Sequence, residues 1–198
     1  FLIAHPGWPG EPAMRRAAER ALQPGAVSPA RVVAFFDKFP PLTNTGQVRY
    51  AEALAAMGRA QDALIAARKA WTSGSLSAAD EASMHQQFGA RFTPADRDER
   101  MDRLLWLGKT TAAQAQLSLT SLSKRPLYQA RLALRTNAPD AQNLADSLPS
   151  AFQSDAGFVA DKAIWLRAAS PDAARAWLAR PRQLTSRPTD VDRWFELL

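Results

Sequence analysis

The two histidines are the first candidates for metal binding or proton transfer. His5 lies in a segment rich in Pro and Gly, and His85 lies on a predicted helix where Glu81 is its one acidic neighbour four residues away. A zinc site needs three or four ligands. The chain has no cysteine, which excludes disulfides, thiolate ligands and a Cys nucleophile. We therefore predict no metal site and assign neither histidine a catalytic role.

A Ser-x-x-Lys pattern at Ser121 and Lys124 matches the nucleophile motif of penicillin-binding enzymes. The companion Ser-Asp-Asn and Lys-Thr-Gly motifs of those enzymes are absent from the chain. The pattern falls at the end of a predicted helix, where a lysine stabilises the negative pole of the helix dipole. The sequence therefore predicts a dipole role for Lys124 and no nucleophile at Ser121.

Two pairs of adjacent carboxylates, Asp80-Glu81 and Asp98-Glu99, are the candidates for general acid–base catalysis. That chemistry needs one carboxyl group with a raised pKa inside a cleft. Both pairs fall in the first turn of a predicted helix, where the dipole stabilises the anion instead. We predict a capping role for both pairs. The chain also lacks a Gly-rich phosphate loop, so we predict no catalytic and no cofactor-binding residue.

Five tryptophans on predicted helices are candidates for stacking on sugar rings or bases. They are Trp71, Trp106, Trp165, Trp177 and Trp194. In an alanine-rich helix pair, an indole more often fills the space between helices than it binds a ligand. We therefore predict that these tryptophans belong to the core.

The elements that position these residues are predicted to be helices throughout. Alanine is abundant and β-branched residues are scarce, which favours closely packed helices. Helix starts are predicted at Ser28-Pro29, Ser77–Asp80, Thr93–Asp96 and Ser170-Pro171. In the helix that follows Thr93, helical spacing predicts a broad buried face. That face comprises Met101, Leu104, Leu105 and Gly108, widened by Trp106 and Leu107.

Three segments repeat a pattern of helix, short break and alanine-rich helix. They are Tyr50–Ala67, Arg100–Leu117 and Asp161–Leu178, with breaks at Gly58-Arg59, Gly108-Lys109 and Ala169-Ser170. Ala63, Ala113 and Ala174 occupy matching positions after the breaks. Helix pairs of this size cannot bury an apolar face alone, so they stack. We predict an irregular lead-in with helices at residues 1–45. Residues 46–198 are predicted to form an α-superhelix, a solenoid of stacked antiparallel helix hairpins that continues beyond the chain.

The net charge of +6 can attract an anionic partner, such as nucleic acid, an anionic membrane or a carboxylate-bearing polymer, or it can belong to a solvated arginine-rich surface without a partner. The absence of a basic block in the sequence favours the solvated surface. Acidic residues alternate with the arginines and no standard nucleic-acid-binding motif occurs, so we predict no nucleic-acid partner. No apolar run reaches the roughly 20 residues of a membrane-spanning helix, and we predict no membrane span. The chain opens at Phe1 without Met and ends at Leu198 in a predicted helix, as expected for a piece of a longer protein.

Several short segments together carry a family resemblance. They are Trp71–Leu76, Glu81, Phe88-Gly89, Phe92–Asp96, Arg100–Trp106 and Ala130–Leu134. The most specific is the run Thr-x-x-Asp-x-x-x-Arg-x-Asp-x-Leu-Leu-Trp, from Thr93 to Trp106. This succession resembles the N-terminal superhelical region of the soluble lytic transglycosylases, bacterial periplasmic enzymes that degrade peptidoglycan. The resemblance covers roughly residues 47–198.

The resemblance implies a ring- or U-shaped scaffold that carries a lysozyme-like domain further along the chain. In that family a Glu followed by Ser protonates the glycosidic oxygen of the MurNAc-GlcNAc bond and helps to close a 1,6-anhydro ring. None of the six glutamates here precedes Ser, so no catalytic residue carries over. The implied function is a periplasmic, non-catalytic scaffold that is inactive alone. Its implied partners are its own catalytic domain and peptidoglycan glycan strands.

Two other functions remain open at this stage. The main alternative is a tetratricopeptide-like solenoid adaptor that binds a protein or peptide on its concave face. Nucleic-acid binding is a third possibility, and it would show a steep salt dependence of affinity. A Glu-Ser segment in a downstream lysozyme-like domain would distinguish the first function from the adaptor.

Overall fold

The computed structural model describes residues 7–74 and 76–197, and every regular element in these residues is a helix. The α-helices are α1 (Glu11–Ala21), α2 (Pro29–Lys38), α3 (Asn44–Ala56), α4 (Ala60–Thr72), α5 (Ala78–Phe88), α6 (Pro94–Trp106), α7 (Thr110–Gln116), α8 (Arg125–Thr136), α9 (Ala141–Asp146), α10 (Ala156–Ala169), α11 (Pro171–Leu178) and α12 (Val191–Phe195). Single 3-10 turns lie at Gly89–Arg91, Leu117–Leu119 and Ser150–Phe152. The all-α prediction is confirmed for the described residues.

Side-chain caps begin several helices where the sequence predicts them. Ser77 Oγ accepts a 3.1 Å hydrogen bond from the Asp80 amide at the start of α5. At the start of α6, Thr93 Oγ1 accepts from the Asp96 amide at 3.2 Å, and Asp96 Oδ2 accepts from the Thr93 amide at 2.8 Å. This reciprocal pair is a capping box with Asp in place of the usual Glu. Ser28 precedes α2 as predicted, but its side chain makes no capping hydrogen bond.

The chain forms two compact units, residues 1–96 and 97–198, and the boundary falls inside α6. In the first unit α3 packs most extensively on α4, and α2 packs on α3. The core of this unit includes Val48, Leu54 and Met84. The indole of Trp71 stacks on the ring of Phe92 with a centroid distance of 4.9 Å. The first unit therefore has a hydrophobic core of its own.

The second unit is built around α8 and α10. Helix α10 packs on α11 and on α8, and α8 also packs on α9. The core of this unit includes Met101, Leu105, Tyr128 and Phe158, all buried. Tyr128 donates a 3.0 Å hydrogen bond from its hydroxyl to the carbonyl of Asp98 in α6. Burial is the main cause that raises the pKa of Tyr128, so its hydroxyl stays protonated as a donor.

The predicted buried face of α6 is only partly confirmed. Met101, Leu104, Leu105 and Trp106 are all buried, as expected. The prediction is wrong for Leu107, which is 39% exposed, and for Gly108, which is also exposed. The helix ends at Trp106 and the backbone of Gly108 turns to a φ of +69°, so both residues leave the packed face.

Three helix pairs share one turn geometry. Gly58 and Gly108 adopt left-handed backbone with φ of +75° and +69°, between α3 and α4 and between α6 and α7. In each turn the next amide bonds back five residues, from Arg59 to the Leu54 carbonyl and from Lys109 to the Leu104 carbonyl, both at 2.9 Å. This is the pattern of a Schellman cap, in which the left-handed residue terminates the helix. The first two predicted repeats therefore end their first helices in the same way.

The third turn of this kind lies between α8 and α9, where the sequence predicts no repeat. Asn137 has a φ of +50°, and the Ala138 amide bonds back to the Ala133 carbonyl at 2.9 Å. Asn is the non-glycine residue that best tolerates this conformation. The break predicted at Ala169-Ser170 is different, because Ser170 is extended and its Oγ caps α11 through the Ala173 amide at 3.3 Å.

No helix within residues 7–74 and 76–197 combines the length and apolar character that crossing a membrane requires.

Candidate functional site

One of the two histidines considered for metal chemistry lies in the described residues. His5 lies outside the described residues, and His85 is exposed on α5. In the described part of the chain no three His, Asp or Glu side chains are close enough together to hold a metal ion. A zinc or calcium site made of these side chains has no geometric basis there.

The residues of the Ser-x-x-Lys pattern lie just before α8. Ser121 donates to the carboxylate of Asp98 through its amide at 2.9 Å and through its hydroxyl at 2.7 Å. Lys124 is exposed and immediately precedes α8. The predicted dipole role of Lys124 is wrong, because the lysine lies at the positive N-terminal pole of a helix rather than at its negative end. Ser121 therefore fastens the loop before α8 to α6.

One aspartate of each carboxylate pair bonds to a segment distant in sequence. Asp80 is buried and forms an ion pair with Arg49 of α3, which also pairs with Glu52 at 2.7 Å. Asp98 is buried and accepts the two hydrogen bonds from Ser121. The predicted first-turn position is confirmed for Asp80 and Glu81 in α5, but it is wrong for Asp98 and Glu99, which lie beyond the first turn of α6. Each aspartate also joins its helix to a segment distant in sequence. Glu99, beside Asp98, is exposed.

The tryptophans divide into core residues and partly exposed ones. Trp71, Trp106 and Trp177 are buried, which confirms the core prediction for them. Trp165 and Trp194 are only partly buried, and Trp165 donates its indole N–H to the Asn137 side chain at 2.9 Å. Trp177 is 7% exposed, and its indole N–H donates to the Val159 carbonyl at 3.0 Å. Through these hydrogen bonds, Trp165 and Trp177 each hold one helix against another.

A buried ionic network lies at the centre of the second unit. The Arg131 and Asp161 side chains are both fully buried and pair at 2.8 Å between Nε and Oδ2. Arg135 Nη2 pairs with Asp161 Oδ1 at 2.7 Å. Asp102 of α6 pairs with Arg131 Nη1 at 2.5 Å. One network therefore joins α6, α8 and α10.

The charges of this network respond differently to burial. Burial alone would lower the pKa of Arg131, but the neighbouring carboxylates of Asp161 and Asp102 outweigh it and raise that pKa. For Arg135 burial has the larger effect and its pKa is lowered. Sequence reasoning missed this network. The sequence contains a signal for it, because Arg131 and Arg135, four residues apart, lie on one face of α8 among buried apolar residues.

A cationic cluster surrounds Trp177 at the end of α11. Lys162 Nζ, the Arg180 guanidinium and the Arg182 guanidinium lie 4.9, 5.0 and 4.3 Å from the centroid of the Trp177 ring. Burial and the nearby Arg180 lower the pKa of Arg182. We call these four residues the Trp177 cluster. Its surplus of positive charge makes it the strongest candidate for binding a ligand from solution.

A cavity of about 560 Å³ lies elsewhere in the second unit. It is lined by Ile164, Arg167, Asp190, Asp192, Arg193, Glu196 and Leu197. Asp190 caps α12 by accepting from the Arg193 amide at 3.0 Å. Arg193 donates from Nη1 to the Trp106 carbonyl at 2.6 Å. Two of the charged groups around this cavity are therefore already engaged in holding α12.

Comparisons of the chain with models of protein families, with curated protein sequences and with solved structures found no match.

Proposed function

We propose that this chain is the non-catalytic, helical scaffold region of a periplasmic peptidoglycan lytic transglycosylase. In this proposal it supports a lysozyme-like domain that cleaves MurNAc-GlcNAc bonds to 1,6-anhydro products, and it makes contact with glycan strands. The proposal starts from the resemblance described above, whose most specific run extends from Thr93 to Trp106.

The observation that supports it best is that two separate segments of the resemblance meet in space. Asp102 and Trp106 belong to one segment and Arg131 to another. Arg131 pairs with Asp102 and lies over the Trp106 ring at 5.9 Å from its centroid. Asp102 and Trp106 lie 29 and 25 positions before Arg131 in the sequence. If the short segments matched the family only by chance, there would be no reason to expect contacts between them. The matched residues are thus parts of one packed arrangement, as a shared architecture requires.

The repeated turn gives a second, weaker support. The pairs α3–α4, α6–α7 and α8–α9 end their first helices with the same left-handed cap. Ala63, Ala113 and Ala174, the matching alanines of the predicted repeats, are all buried. Small buried residues after a tight turn let helices of a pair approach closely. We propose that the helix pairs within each unit stack as in an α-solenoid.

Purified peptidoglycan sacculi provide the direct test. The chain should co-sediment with sacculi and should release no anhydromuropeptides from them. Release of anhydromuropeptides would contradict the non-catalytic assignment, and failure to co-sediment would contradict the contact with glycan. The gene sequence downstream of the codon for Leu198 supplies an independent check, because the proposal requires a lysozyme-like domain with a Glu-Ser pair there.

A peptide-binding solenoid adaptor is the second candidate. It is favoured by a cavity of about 230 Å³ in the first unit, whose lining is mainly apolar and includes Val27, Phe35 and Phe36. Ligand pockets are usually lined mainly by apolar side chains with a few polar groups. A downstream region without a lysozyme-like domain, together with no binding to sacculi, would favour the adaptor.

A further inference from the structure

We infer that the Trp177 cluster is a binding site for carboxylate groups, and specifically for those of the peptides attached to peptidoglycan glycan strands. The identity of the ligand rests on the proposed function, whereas the preference for carboxylates rests on the cluster itself. Lys162 of α10 and Arg180 and Arg182, which follow α11, hold three cationic groups within 5.0 Å of one indole centroid.

The positive charge of the cluster is not balanced within the described residues. Lys162 pairs with Asp146 at 3.0 Å, but neither Arg180 nor Arg182 forms an ion pair in the part of the chain that the structure describes. Residues 173–189 contain four arginines and no acidic residue. Neighbouring cations repel one another, and the lowered pKa of Arg182 reflects burial together with the charge of Arg180. A bound anion would relieve this repulsion.

The geometry of Arg182 is fixed before any ligand binds. Its guanidinium donates to the carbonyl of Trp177 through Nη2 and to the carbonyl of Arg180 through Nε at 3.3 Å. Its Nη1 is buried and has no hydrogen-bond partner within residues 7–74 and 76–197. Arg182 therefore holds its positive charge in a fixed position at the end of α11.

The floor of the cluster is also rigid. The Trp177 indole donates to the Val159 carbonyl at 3.0 Å and meets the Phe158 ring edge to face at a centroid distance of 6.1 Å. The C-terminal pole of α11 explains why Arg182 lies against the Trp177 carbonyl. It does not explain the exposed Arg180, which follows the end of the helix and points its charge at the same ring. A pair of guanidinium groups over a fixed aromatic surface suits the planar fork of a carboxylate.

The surroundings favour a small anionic group over a nucleic-acid backbone. Asp146 pairs with Lys162 at 3.0 Å, which leaves Arg180 and Arg182 as the two cations of the cluster without an ion pair in the described residues. A nucleic-acid strand needs a row of cations that follows successive phosphates. Two guanidinium groups at one place fit a ligand with one or two carboxylates.

The binding test uses a small dicarboxylate and its neutral counterpart. N-acetyl-alanyl-glutamate, with two free carboxylates, should shift the indole N–H signal of Trp177 in a two-dimensional NMR titration, and the diamide of the same peptide should not. Arg180→Gln/Arg182→Gln should weaken the dicarboxylate binding about tenfold or more, since charge-assisted hydrogen bonds are lost. Arg182→Lys keeps the charge but loses the fork, and it should weaken binding even if the double variant proves unstable. Arg16→Gln/Arg20→Gln in α1 removes the same net charge from the first unit and should leave the titration unchanged.

Sacculi and a single-stranded oligonucleotide complete the test. If the double variant loses binding to both the dicarboxylate and sacculi, the inference and the proposed function are both supported. Dicarboxylate binding without any binding to sacculi keeps the carboxylate site and overturns the proposed function. Sacculi binding that the double variant retains, with no response to the dicarboxylate, overturns the inference and leaves the proposed function. If the oligonucleotide binds, the double variant loses this binding and the dicarboxylate gives no response, the inference of a carboxylate site is overturned in favour of a nucleic-acid site.

Discussion

Gly157 of α10 lies directly against the guanidinium of Arg131 of α8: a Cβ atom at position 157 would stand 2.2 Å from Arg131 Cζ. Arg131 cannot easily move aside, because its side chain is fully buried and pairs with Asp161 at 2.8 Å. The absence of a side chain at residue 157 is therefore what lets α10 approach the buried charge. Two helices that are adjacent in the second unit thus depend on one glycine and one ion pair.

Gly157→Ala should destabilise the protein even though alanine favours helices by up to about 1 kcal/mol relative to glycine. The new methyl group must displace a guanidinium whose ion pairs, once disturbed, cost roughly 3–5 kcal/mol. We expect a net loss of about 1–3 kcal/mol, in the range of other overpacked interiors. Urea denaturation followed by circular dichroism measures it. In the background of Arg131→Met the clash is removed, and the same glycine substitution should then be neutral or stabilising. Equal effects in the two backgrounds would contradict the proposed contact.

The two carboxylates that pair with Arg131 should differ in their contribution to stability. Asp161 is fully buried and serves Arg131 and Arg135, whereas the Asp102 side chain is 26% exposed. Asp161→Asn leaves two buried guanidinium groups poorly compensated and should cost roughly 3–5 kcal/mol. Asp102→Asn should cost about 1 kcal/mol, because the Asp102 side chain is partly exposed to solvent and the buried Arg131 keeps its ion pair with Asp161. Differential scanning calorimetry should give the larger fall in Tm for Asp161→Asn. The reverse order would show that the network is centred on α6 instead.

The helices could be predicted from the sequence because their signals are local. The starts at Ser77 and Thr93 depend on side chains that bond amides three residues away, and such short-range chemistry can be read directly. Gly58 and Gly108 indicate their turns for the same reason, because glycine adopts the left-handed backbone conformation with the lowest steric cost.

The contacts between segments could not be predicted in the same way. Asp98 has the sequence context of a first-turn acid, yet its carboxylate bonds to Ser121, 23 residues later. Glu19 of α1 accepts from the Leu42 amide at 3.0 Å and the Thr43 amide at 2.8 Å ahead of α3, although nothing in its neighbourhood indicates such a role. Lys124 was misplaced because the chain leaves α7 early and the next helix begins just after this residue. Long-range partners depend on packing that local patterns do not specify.

The capping box of α6 should be worth about 1 kcal/mol, the usual contribution of an N-cap side chain. Thr93→Ala removes the acceptor for the Asp96 amide, and Thr93→Ser retains it. The serine variant is the matched control, because its hydroxyl can make the same bond. We expect the alanine variant alone to lower the free energy of unfolding, measured by chemical denaturation. A serine variant as unstable as the alanine variant would point to the lost methyl group instead.

The left-handed turn after α8 allows a similar comparison. Asn137→Ala places a Cβ-bearing residue without a local polar side chain at a φ of +50° and should cost roughly 1–2 kcal/mol. Asn137→Gly relaxes the backbone but, like alanine, loses the 2.9 Å hydrogen bond to the Trp165 indole. The difference between the two variants therefore isolates the backbone term. Glycine should be the more stable variant in thermal denaturation, and equal stability would mean that the side-chain bond matters more than the turn.

Alkaline pH should weaken the first unit through Tyr50. Its hydroxyl donates to Asp37 Oδ1 at 2.5 Å, and burial, followed by this hydrogen bond, raises the pKa of Tyr50 from 10.0 to about 12. A group whose pKa is higher in the folded state stabilises that state fully below its unfolded pKa, and this contribution disappears as the pH rises through the folded value. The loss from Tyr50 should therefore fall between about pH 10 and pH 12. Tyr50→Phe has no hydroxyl to ionise, so its Tm should fall less steeply over this interval than that of the unmodified protein. Every other ionisable group is the same in both proteins, so its effect cancels in the comparison. Parallel declines in the two proteins would show that the bond to Asp37 does not couple the ionisation of Tyr50 to folding.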